Sequence, residues 1–306
     1  MTLWQITKNH LIKNSSLLLF ALFLSFFCTP QVHAGEKLDQ SVTFIGSDKF
    51  QKINEKAIAE NWRALPMGDR MAKIALELNS VPYKAYTLEI HNTVESPSVN
   101  FRGLDCWTFF ETVMAMAKML ETPKKTYTES DLLKQIEHTR YRDGTCNGNY
   151  LDRIHYLAEW YEDNHKRKNI TDITKNLPTK TILMQNQCNE MSKLWKHYRY
   201  LKHSPDLRHL MAVSEKEMTA MNVSMIPKAN VANIEDHLQN GDIIGIARHG
   251  DGSYCSHVGI IIRDQQGKAR FMHASTTYKK VVIDSTISEY LYKFDKHAGI
   301  LVARAR

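Results

Sequence analysis

The 306-residue sequence lacks several patterns that would point directly to a class of protein. It has no C-x-x-C pair among its five cysteines, which argues against a structural zinc site of the usual spacing. It has no dense basic run with interleaved aromatic residues, so nucleic acid is not expected as a partner. Internal repeats and low-complexity tracts are also missing. The length then suits one sizeable domain with insertions, or two small domains.

Long apolar runs are scarce, and the one at the N-terminus is too short for a membrane span. Leu17 to Phe27 form an apolar run of about eleven residues, whereas a spanning helix needs roughly 20. Lys8 and Lys13 precede the run and Val32-His33-Ala34 follows it, which is the layout of a secretory signal peptide. We therefore expect residues 1–34 to be cleaved and the protein to be exported, either periplasmic or secreted. No stable membrane span is expected after cleavage.

Two alternatives exist at this end of the chain: an uncleaved anchor, and lipidation at Cys28. Lipidation requires a small residue at the preceding position, and Phe27 is bulky. Removal of residues 1–34 takes away two lysines and no acidic residues, so the net charge falls from +7 to +5. A mildly basic exported protein suits anionic surroundings such as a cell-wall polymer or lipid headgroups.

The apolar pattern changes character along the chain. A helical spacing begins near Asp69 and ends before Pro82, which restricts the backbone of the residue before it. Residues 123–235 are predicted to be mostly helical, with apolar stripes over 151–161 and 191–201. After that segment, short β-branched runs separated by turn residues predict strands over 241–247, 256–262, 269–275, 280–284 and 299–305.

Helices followed by an antiparallel sheet predict an α+β fold. Nothing in the pattern separates two independent domains. We therefore expect residues 35–306 to form a single domain, in which 123–235 is a mostly helical elaboration of one core.

The stretch GLDCWTFFETVMAMAKML, residues 103–120, puts a cysteine at the head of an apolar helical stripe. Free cysteine is among the most buried residue types, so residue type alone would make Cys106 a packed core thiol. Its position in the helix favours a nucleophile instead. Asp105 is a good N-cap, which places Cys106 in the first turn, where unpaired N–H groups and the helix dipole favour an anion. A thiolate there has a depressed pKa, and the same N–H groups would stabilise an oxyanion.

A cysteine nucleophile needs a base, and two of the 14 histidines have a suitable location. His257 begins the strand HVGIII, and His273 lies in FMHAS after a turn near residues 264–266. A hairpin centred on residue 265 would make the two imidazoles direct or near-direct cross-strand neighbours on one face. One histidine would then act as general base and the other would orient it.

Other assignments of these residues are open. The pair His257 and His273 has an inert alternative, as polar residues near a strand end. Metal binding by His249, Cys255 and both histidines is disfavoured by the irregular spacing. As a nucleophile, Cys255 lacks the helix-terminal N–H groups that Cys106 has.

The remaining cysteines leave a disulfide open. An oxidising compartment permits one. Cys146 with Cys188 is the suspected pair if Cys106 is needed as a free thiol.

These residues together resemble the NlpC-type, papain-like superfamily of cell-wall cysteine hydrolases. The order Cys106, His257, His273 is similar to its nucleophile, base and orienting residue, and Tyr83 in VPYKAYTLE resembles a tyrosine that lines the substrate site. The chain looks closer still to the N-acetylmuramoyl-L-alanine amidase-like branch. That branch has a D-C-x-T-F-x-E-T block, here 105–112, and an R-Y-R-D-G block followed by R-x-H-Y on a helix, here 140–144 and 153–156.

Two departures from the family pattern bear on pocket shape. Trp107 follows the cysteine directly, where a smaller residue is more usual, and the loop 143–149 carries a cysteine. The resemblance covers roughly residues 70–300.

The resemblance implies a papain-like core, with the nucleophile helix packed on an antiparallel sheet, in a single catalytic domain. It implies hydrolysis of the amide bond between N-acetylmuramic acid and L-alanine in peptidoglycan or muropeptide fragments, through a thioester on Cys106. His257 would be the base and His273 would fix its imidazole. No metal or organic cofactor is implied.

For substrate binding, the candidates are Tyr83, Asp105, Arg142 and Tyr156, each of which also has a structural explanation. They are, in that order, an aromatic core contact, a helix cap, a loop ion pair and a buried tyrosine. The alternative functions are a stem-peptide endopeptidase cutting between D-glutamate and the diamino acid, acyl transfer, and a non-catalytic cell-wall-binding module. Arg140 and Arg142 would suit the pocket of either hydrolase.

Overall fold

The computed structural model describes residues 38–250 and 252–306, and the predicted signal peptide lies outside the described residues. The chain mixes helices and strands, which confirms the α+β class. The helices are α1 (Gln40–Thr43), α2 (Ser47–Ala59), α3 (Met67–Glu77), α4 (Cys106–Met119), α5 (Glu129–Arg140), α6 (Leu157–Lys166), α7 (Glu190–Lys193), α8 (Arg199–His203), α9 (Pro205–Thr219) and α10 (Ile287–Tyr292). The strands are β1 (Phe44–Ile45), β2 (Val99–Asn100), β3 (Ile170–Asp172), β4 (Ile182–Leu183), β5 (Ser224–Pro227), β6 (Ile243–Arg248), β7 (Cys255–Arg263), β8 (Ala269–Ser275), β9 (Lys280–Thr286) and β10 (His297–Ala305).

Strands β3 to β10 form one antiparallel sheet, and β1 and β2 form a separate parallel pair. The order across the sheet is β4-β5-β10-β6-β7-β8-β9, with β3 paired to the C-terminal end of β10. The five strands predicted after residue 240 are all present, as β6 to β10. They make up the continuous part of the sheet, and the cleft described below lies at one end of β7.

Both faces of the sheet are covered, which explains why its central strands are apolar on both sides. On one face, Val258, Ile260 and Met272 pack with the helical layer that contains α3, α4 and α6. On the other face, Ile261 and Phe271 pack with α10 and the 3₁₀ segment Lys228–His237. Within residues 38–250 and 252–306, no helix has the length and apolar character to cross a membrane.

The segment 123–235 is less helical than its pattern predicts. The stripe over 151–161 becomes α-helix only from Leu157, because Tyr141 pairs with Arg153 and the amide of Ile154 donates to the carbonyl of Arg140 at 2.9 Å. The expected R-x-H-Y motif at 153–156 is therefore extended chain. The stripe over 191–201 is divided into short helical pieces, and the segment also supplies β3, β4 and β5 to the sheet.

Helix α4 is buried along almost its whole length, between α3 and α5 and against β7 and β8. It carries one charged residue into this core: Glu111 is 0% exposed. The Nε of Arg140, from the end of α5, donates to the Glu111 carboxylate at 2.7 Å, and its Nη1 donates to the carbonyl of Ser98 at 2.9 Å. Because Arg140 is itself only 1% exposed, this buried ion pair fixes α5 and the chain before β2 against the helix.

Removing one partner of this ion pair is expected to destabilise the fold strongly. Arg140→Met leaves the Glu111 carboxylate buried and unpaired, which should lower the free energy of unfolding by about 3–5 kcal/mol. Urea denaturation measures the difference. The matched control is Arg102→Met, which breaks an exposed pair with Asp48 at 2.5 Å and should change stability by no more than about 1 kcal/mol. Similar losses in both variants would contradict the assignment.

Candidate active site

Cys106 is the first residue of α4, as the sequence predicts, and a capping box fixes it there. The amide of Thr108 donates to Asp105 Oδ1 at 2.7 Å, and the amide of Asp105 donates back to the Thr108 hydroxyl at 3.0 Å. The hydroxyl of Thr87 donates to Asp105 Oδ2 at 3.2 Å, so the cap also binds the loop that precedes the helix. Reciprocal capping of this kind sets where a helix begins.

The thiol of Cys106 has a raised pKa, contrary to the expectation from its helix position. The pKa is raised to about 12, mainly by burial, and the nearby Asp105 carboxylate contributes to the rise. The backbone N–H groups of Val258, Trp107 and Cys106 itself lower the pKa, but they do not outweigh burial. The resting side chain is therefore a neutral thiol that needs a base, while the N–H groups remain placed to receive negative charge.

His257 and His273 lie together, as predicted, with Nε2 of His257 at 2.7 Å from Nδ1 of His273. Their register differs from the predicted one. Ile260 pairs with Met272 and Ile261 with Phe271, so the hairpin is centred on residue 266 rather than 265. The two histidines are consequently diagonal neighbours rather than direct opposites. A diagonal pair is within reach of long side chains.

The two rings are held by aromatic packing on their shared face of the sheet. Phe271 stacks on His273 with ring centroids 4.8 Å apart, and Tyr290 of α10 contacts His273 edge-on at 5.0 Å. Gly259 makes room for this packing, because a Cβ there would lie 2.7 Å from the Phe271 ring. The H-V-G-I motif therefore needs a glycine at this position, because a larger residue would collide with the Phe271 ring.

Asp284, which the sequence analysis did not select, lies behind His273. Its Oδ2 is 3.5 Å from Nε2 of His273, and its carboxylate is buried and contacts Lys293. Burial opposes ionisation, but Lys293 and the amide of Ser285 hold the pKa of Asp284 below its usual value. A signal was available in the sequence. Asp284 closes the predicted strand 280–284, and antiparallel pairing of that strand with FMHAS puts it near His273.

Burial also keeps both imidazoles neutral. It lowers the pKa of His257 well below the usual value, with the charges of His273 and His297 acting in the same direction. It lowers the pKa of His273 to about 4, against the opposing effect of Asp284. Both rings are therefore free bases at neutral pH, which suits a histidine that accepts a proton from a thiol.

Cys106 and His257 line the same cleft, a cavity of about 460 Å³. Of the predicted substrate-binding residues, Tyr83, Asp105 and Tyr156 line this cleft as well. Burial raises the pKa of Tyr83 to about 12, with contributions from Cys106 and Asp105. The hydroxyl of Tyr156 donates to Glu215 at 2.6 Å, so it is already engaged in a buried contact.

Arg142 is not part of the cleft lining. Its guanidinium binds the Glu159 carboxylate and the carbonyls of Leu151 and Arg153, which makes it a loop contact. Arg140, also considered for the pocket, is buried against Glu111. Among the arginines that line the cleft, Arg153 lies nearest to Arg142 in the sequence. Its charge is compensated by Glu95 at 3.2 Å and by Glu89 at 3.6 Å.

All four described cysteines are free thiols, so the suspected Cys146–Cys188 disulfide is not formed. The Cys146 thiol donates to the carbonyl of Glu95 at 3.4 Å, whereas the Cys188 amide donates to Thr219 at 2.9 Å. In the part of the chain that the structure describes, no group of three or more His, Cys, Asp or Glu side chains is arranged to hold a metal ion.

These features define an α+β chain whose cleft brings a helix-borne thiol and an imidazole pair together, and known proteins share its fold. The family model described as AmiA-like, N-acetylmuramoyl-L-alanine amidase-like, matches residues 73–300. The chain belongs to this family. Among curated proteins, none matches the chain at a significant level.

Solved structures share the fold, and one named as an amidase agrees with the family assignment. The chain is similar to an N-acetylmuramoyl-L-alanine amidase from Bacteroides uniformis ATCC 8492, with 30% identity and a TM-score of 0.70 over 78% of this chain and 99% of that one. It is also similar to a putative xylanase from Bacteroides fragilis, with 31% identity and a TM-score of 0.68 over 76% and 99%. A protein from Legionella pneumophila shares the fold, with 22% identity and a TM-score of 0.61 over 85% and 95%.

The raised pKa of Cys106 predicts how the thiol reacts. Its alkylation by iodoacetamide, followed by peptide mass mapping, should accelerate about tenfold per pH unit from pH 7 to 9, because the thiolate is the reactive form. Free cysteine, whose rate levels off above a pKa of about 8.5, is the control. A rate for Cys106 that is already constant below pH 8 would show a resting thiolate and contradict the effect of burial.

Proposed function

We propose that this protein hydrolyses the amide bond between N-acetylmuramic acid and L-alanine in peptidoglycan or its fragments, with Cys106 as nucleophile. Family membership supports amidase chemistry. The observation that carries the mechanism is the 2.7 Å contact between His257 and His273, with His257 in the wall of the cleft that Cys106 also lines. A thiol, a base and an orienting group are the parts that nucleophilic acyl transfer requires.

In the first half of the reaction, Cys106 attacks the lactyl carbonyl carbon while His257 takes the thiol proton. The carbonyl oxygen becomes an oxyanion, and the N–H of Cys106 is its candidate donor. When the C–N bond breaks, His257 delivers the proton to the leaving amine of L-alanine. The muramoyl group is left as a thioester on Cys106, and the stem peptide is free to leave.

In the second half, water replaces the peptide. His257 takes a proton from the water as its oxygen attacks the thioester carbonyl. The C–S bond breaks, and the sulfur recovers its proton from His257. The products are a muramic acid carboxyl group and a peptide with a free N-terminal L-alanine, and one water molecule is consumed.

The contact between His257 and His273 determines which ring nitrogen of each histidine carries the proton. If Nδ1 of His257 is to accept from the thiol, its proton must be on Nε2 and donate to Nδ1 of His273. His273 then carries its own proton on Nε2, which faces Asp284. An ionised Asp284 is an acceptor only, so it favours this tautomer over the reverse one. We assign Asp284 as a positioning residue that acts through His273.

The same proposal includes the wider setting. The core is an NlpC-type papain-like one, supported by α4 packing on the antiparallel strands β7 and β8 that carry the histidines. Residues 35–306 act as one catalytic domain. Residues 1–34 serve as the export signal, and the site of action is the periplasm or the cell exterior, where peptidoglycan is found.

The xylanase name of one solved relative suggests glycoside hydrolysis as a competing function. That chemistry uses two carboxyl groups as acid and as base or nucleophile. The carboxylates in the cleft lining are Glu89, Asp105 and Glu190, and each already has partners. Glu89 accepts from Tyr150 at 2.7 Å, Asp105 caps α4, and Glu190 accepts from Ser253 at 3.3 Å. This engagement favours the thiol over the carboxylates as the reacting group.

Defined muropeptides test the reaction and the nucleophile together. The chain from Gly35 should release a stem peptide that begins with L-alanine, identified by mass spectrometry, and Cys106→Ala should abolish the release. Cys255→Ala is the matched control, because Cys255 is another thiol in the cleft lining and should be dispensable. Activity should survive a chelator and be lost on alkylation of Cys106. Cleavage between D-glutamate and the diamino acid would move the proposal to an endopeptidase.

Substitution of Asp284 tests the proton direction. Asp284→Asn can donate to Nε2 of His273 and so favours the wrong tautomer, which should lower kcat/KM by about 10- to 100-fold, mainly through kcat. Nitrogen-15 chemical shifts of the His257 ring would report the tautomer change directly. The control is Asp295→Asn, the same change at an exposed carboxylate, which should leave the tautomer unchanged. Equal tautomers in Asp284→Asn and wild type would remove Asp284 from this role.

A further inference from the structure

We infer that a second, basic cavity beside the cleft binds the carboxylates of the stem peptide and so orients the substrate. We call it the basic annex and define it by Lys196, His197, Arg199, Lys202 and His203. The inference rests on the proposed function, since it assigns one half of the muropeptide to this surface. No motif in the sequence points to these residues.

The annex is a cavity of about 540 Å³ that joins the catalytic cleft. Tyr86 and Glu89 line both cavities, so a ligand that reaches from one to the other crosses these two residues. The walls of the annex come from the segment between α7 and α9, which holds all five basic residues. An extended peptide leaving the reaction centre at Cys106 therefore has a continuous path into a basic surface.

The positive charges of the annex are not cancelled from within. Among the described residues, no carboxylate lies within ion-pair distance of Lys196 or Lys202, and both are exposed. The one acid in the lining, Glu89, is already occupied. It accepts from the hydroxyl of Tyr150 at 2.7 Å and from the amide of Arg199 at 2.5 Å. The carboxylate thus positions Arg199 rather than competing with a ligand.

Tyr86 gives a second, independent sign of a binding surface at the junction. It is 66% exposed and has a φ of 61°, a left-handed conformation that a tyrosine rarely adopts. Strained residues of this kind persist where the surroundings fix them, and they cluster at sites that clamp ligands. The neighbouring Thr87 donates to Asp105, so the rim is tied directly to the residue that caps the nucleophile helix.

Charge decides which half of the substrate enters the annex. The glycan half of a muropeptide carries hydroxyl and acetamido groups, and its lactyl group is consumed in the scissile bond. The peptide half carries the free carboxylates of D-glutamate, of a diamino acid and of the chain end. Lys196 and Lys202, which have no carboxylate partner in the described part of the chain, match the peptide half, and clustered positive charge also speeds the capture of an anionic ligand. The glycan is then left for the opposite side of the cleft.

The test compares two substrates and two variants. The substrates are muropeptides with a free or an amidated D-glutamate α-carboxyl group. Lys196→Gln/Lys202→Gln should raise KM for the free form about tenfold with kcat unchanged, and should leave the amidated form less affected. The matched control is Lys52→Gln/Lys134→Gln, which removes the same charge from exposed lysines that line neither cavity. Equal effects of the two variants, or of the two substrates, would overturn the inference.

A binding measurement separates this inference from the proposed reaction. The isolated stem peptide is titrated calorimetrically into the Cys106→Ala protein with and without the annex substitutions. Binding that depends on Lys196 and Lys202 and weakens with salt supports the annex, even if wild type cleaves no muropeptide and the proposed function fails. Cleavage at the L-alanine bond without any such dependence keeps the proposed function and overturns the annex.

Discussion

The enclosure of helix α4 is the constraint on which the rest of the structure depends. Its residues are buried from Thr108 to Met119 apart from Lys118, so only the first turn reaches a cleft. A helix packed on all sides admits no free charge, and Glu111 therefore needs Arg140 from α5. This ion pair brings α5 and the chain near Ser98 against the helix, and the capping box at Asp105 then fixes where the sulfur stands.

The same burial determines the electrostatics of the site. It raises the pKa of Cys106 and lowers those of His257 and His273, so all three groups are neutral at rest. The resting site therefore does not contain a thiolate–imidazolium ion pair. Reactivity depends instead on geometry that lets the proton move when a carbonyl arrives, and on Asp284 to hold the histidine chain in one direction. Burial thereby makes orientation more important than charge at this centre.

Local signals predicted much of this arrangement, and long-range contacts account for what they missed. The cap at Asp105 and the strands from β6 onward depend on residues that are adjacent in the sequence. The sequence pattern predicted both correctly. The predicted centre of the hairpin was wrong by one residue because the turn closes through the Asp264 amide and the Lys268 carbonyl, a detail that spacing alone does not give. Arg142 lies outside the cleft lining and forms the loop ion pair that was its structural alternative, because its partner Glu159 comes from α6.

A division of charge follows from these constraints. Close to the thiol, a cation would stabilise the thiolate but would also oppose protonation of His257, which already lies in a poorly solvated position. The causes that lower the pKa of His257 are burial and the neighbouring histidines, and no residue of the annex is among them. Cations in the solvated annex attract an anionic peptide while water screens them from the imidazole. Recognition by charge and proton transfer between neutral groups are compatible because they occupy different cavities, the solvated annex and the catalytic cleft.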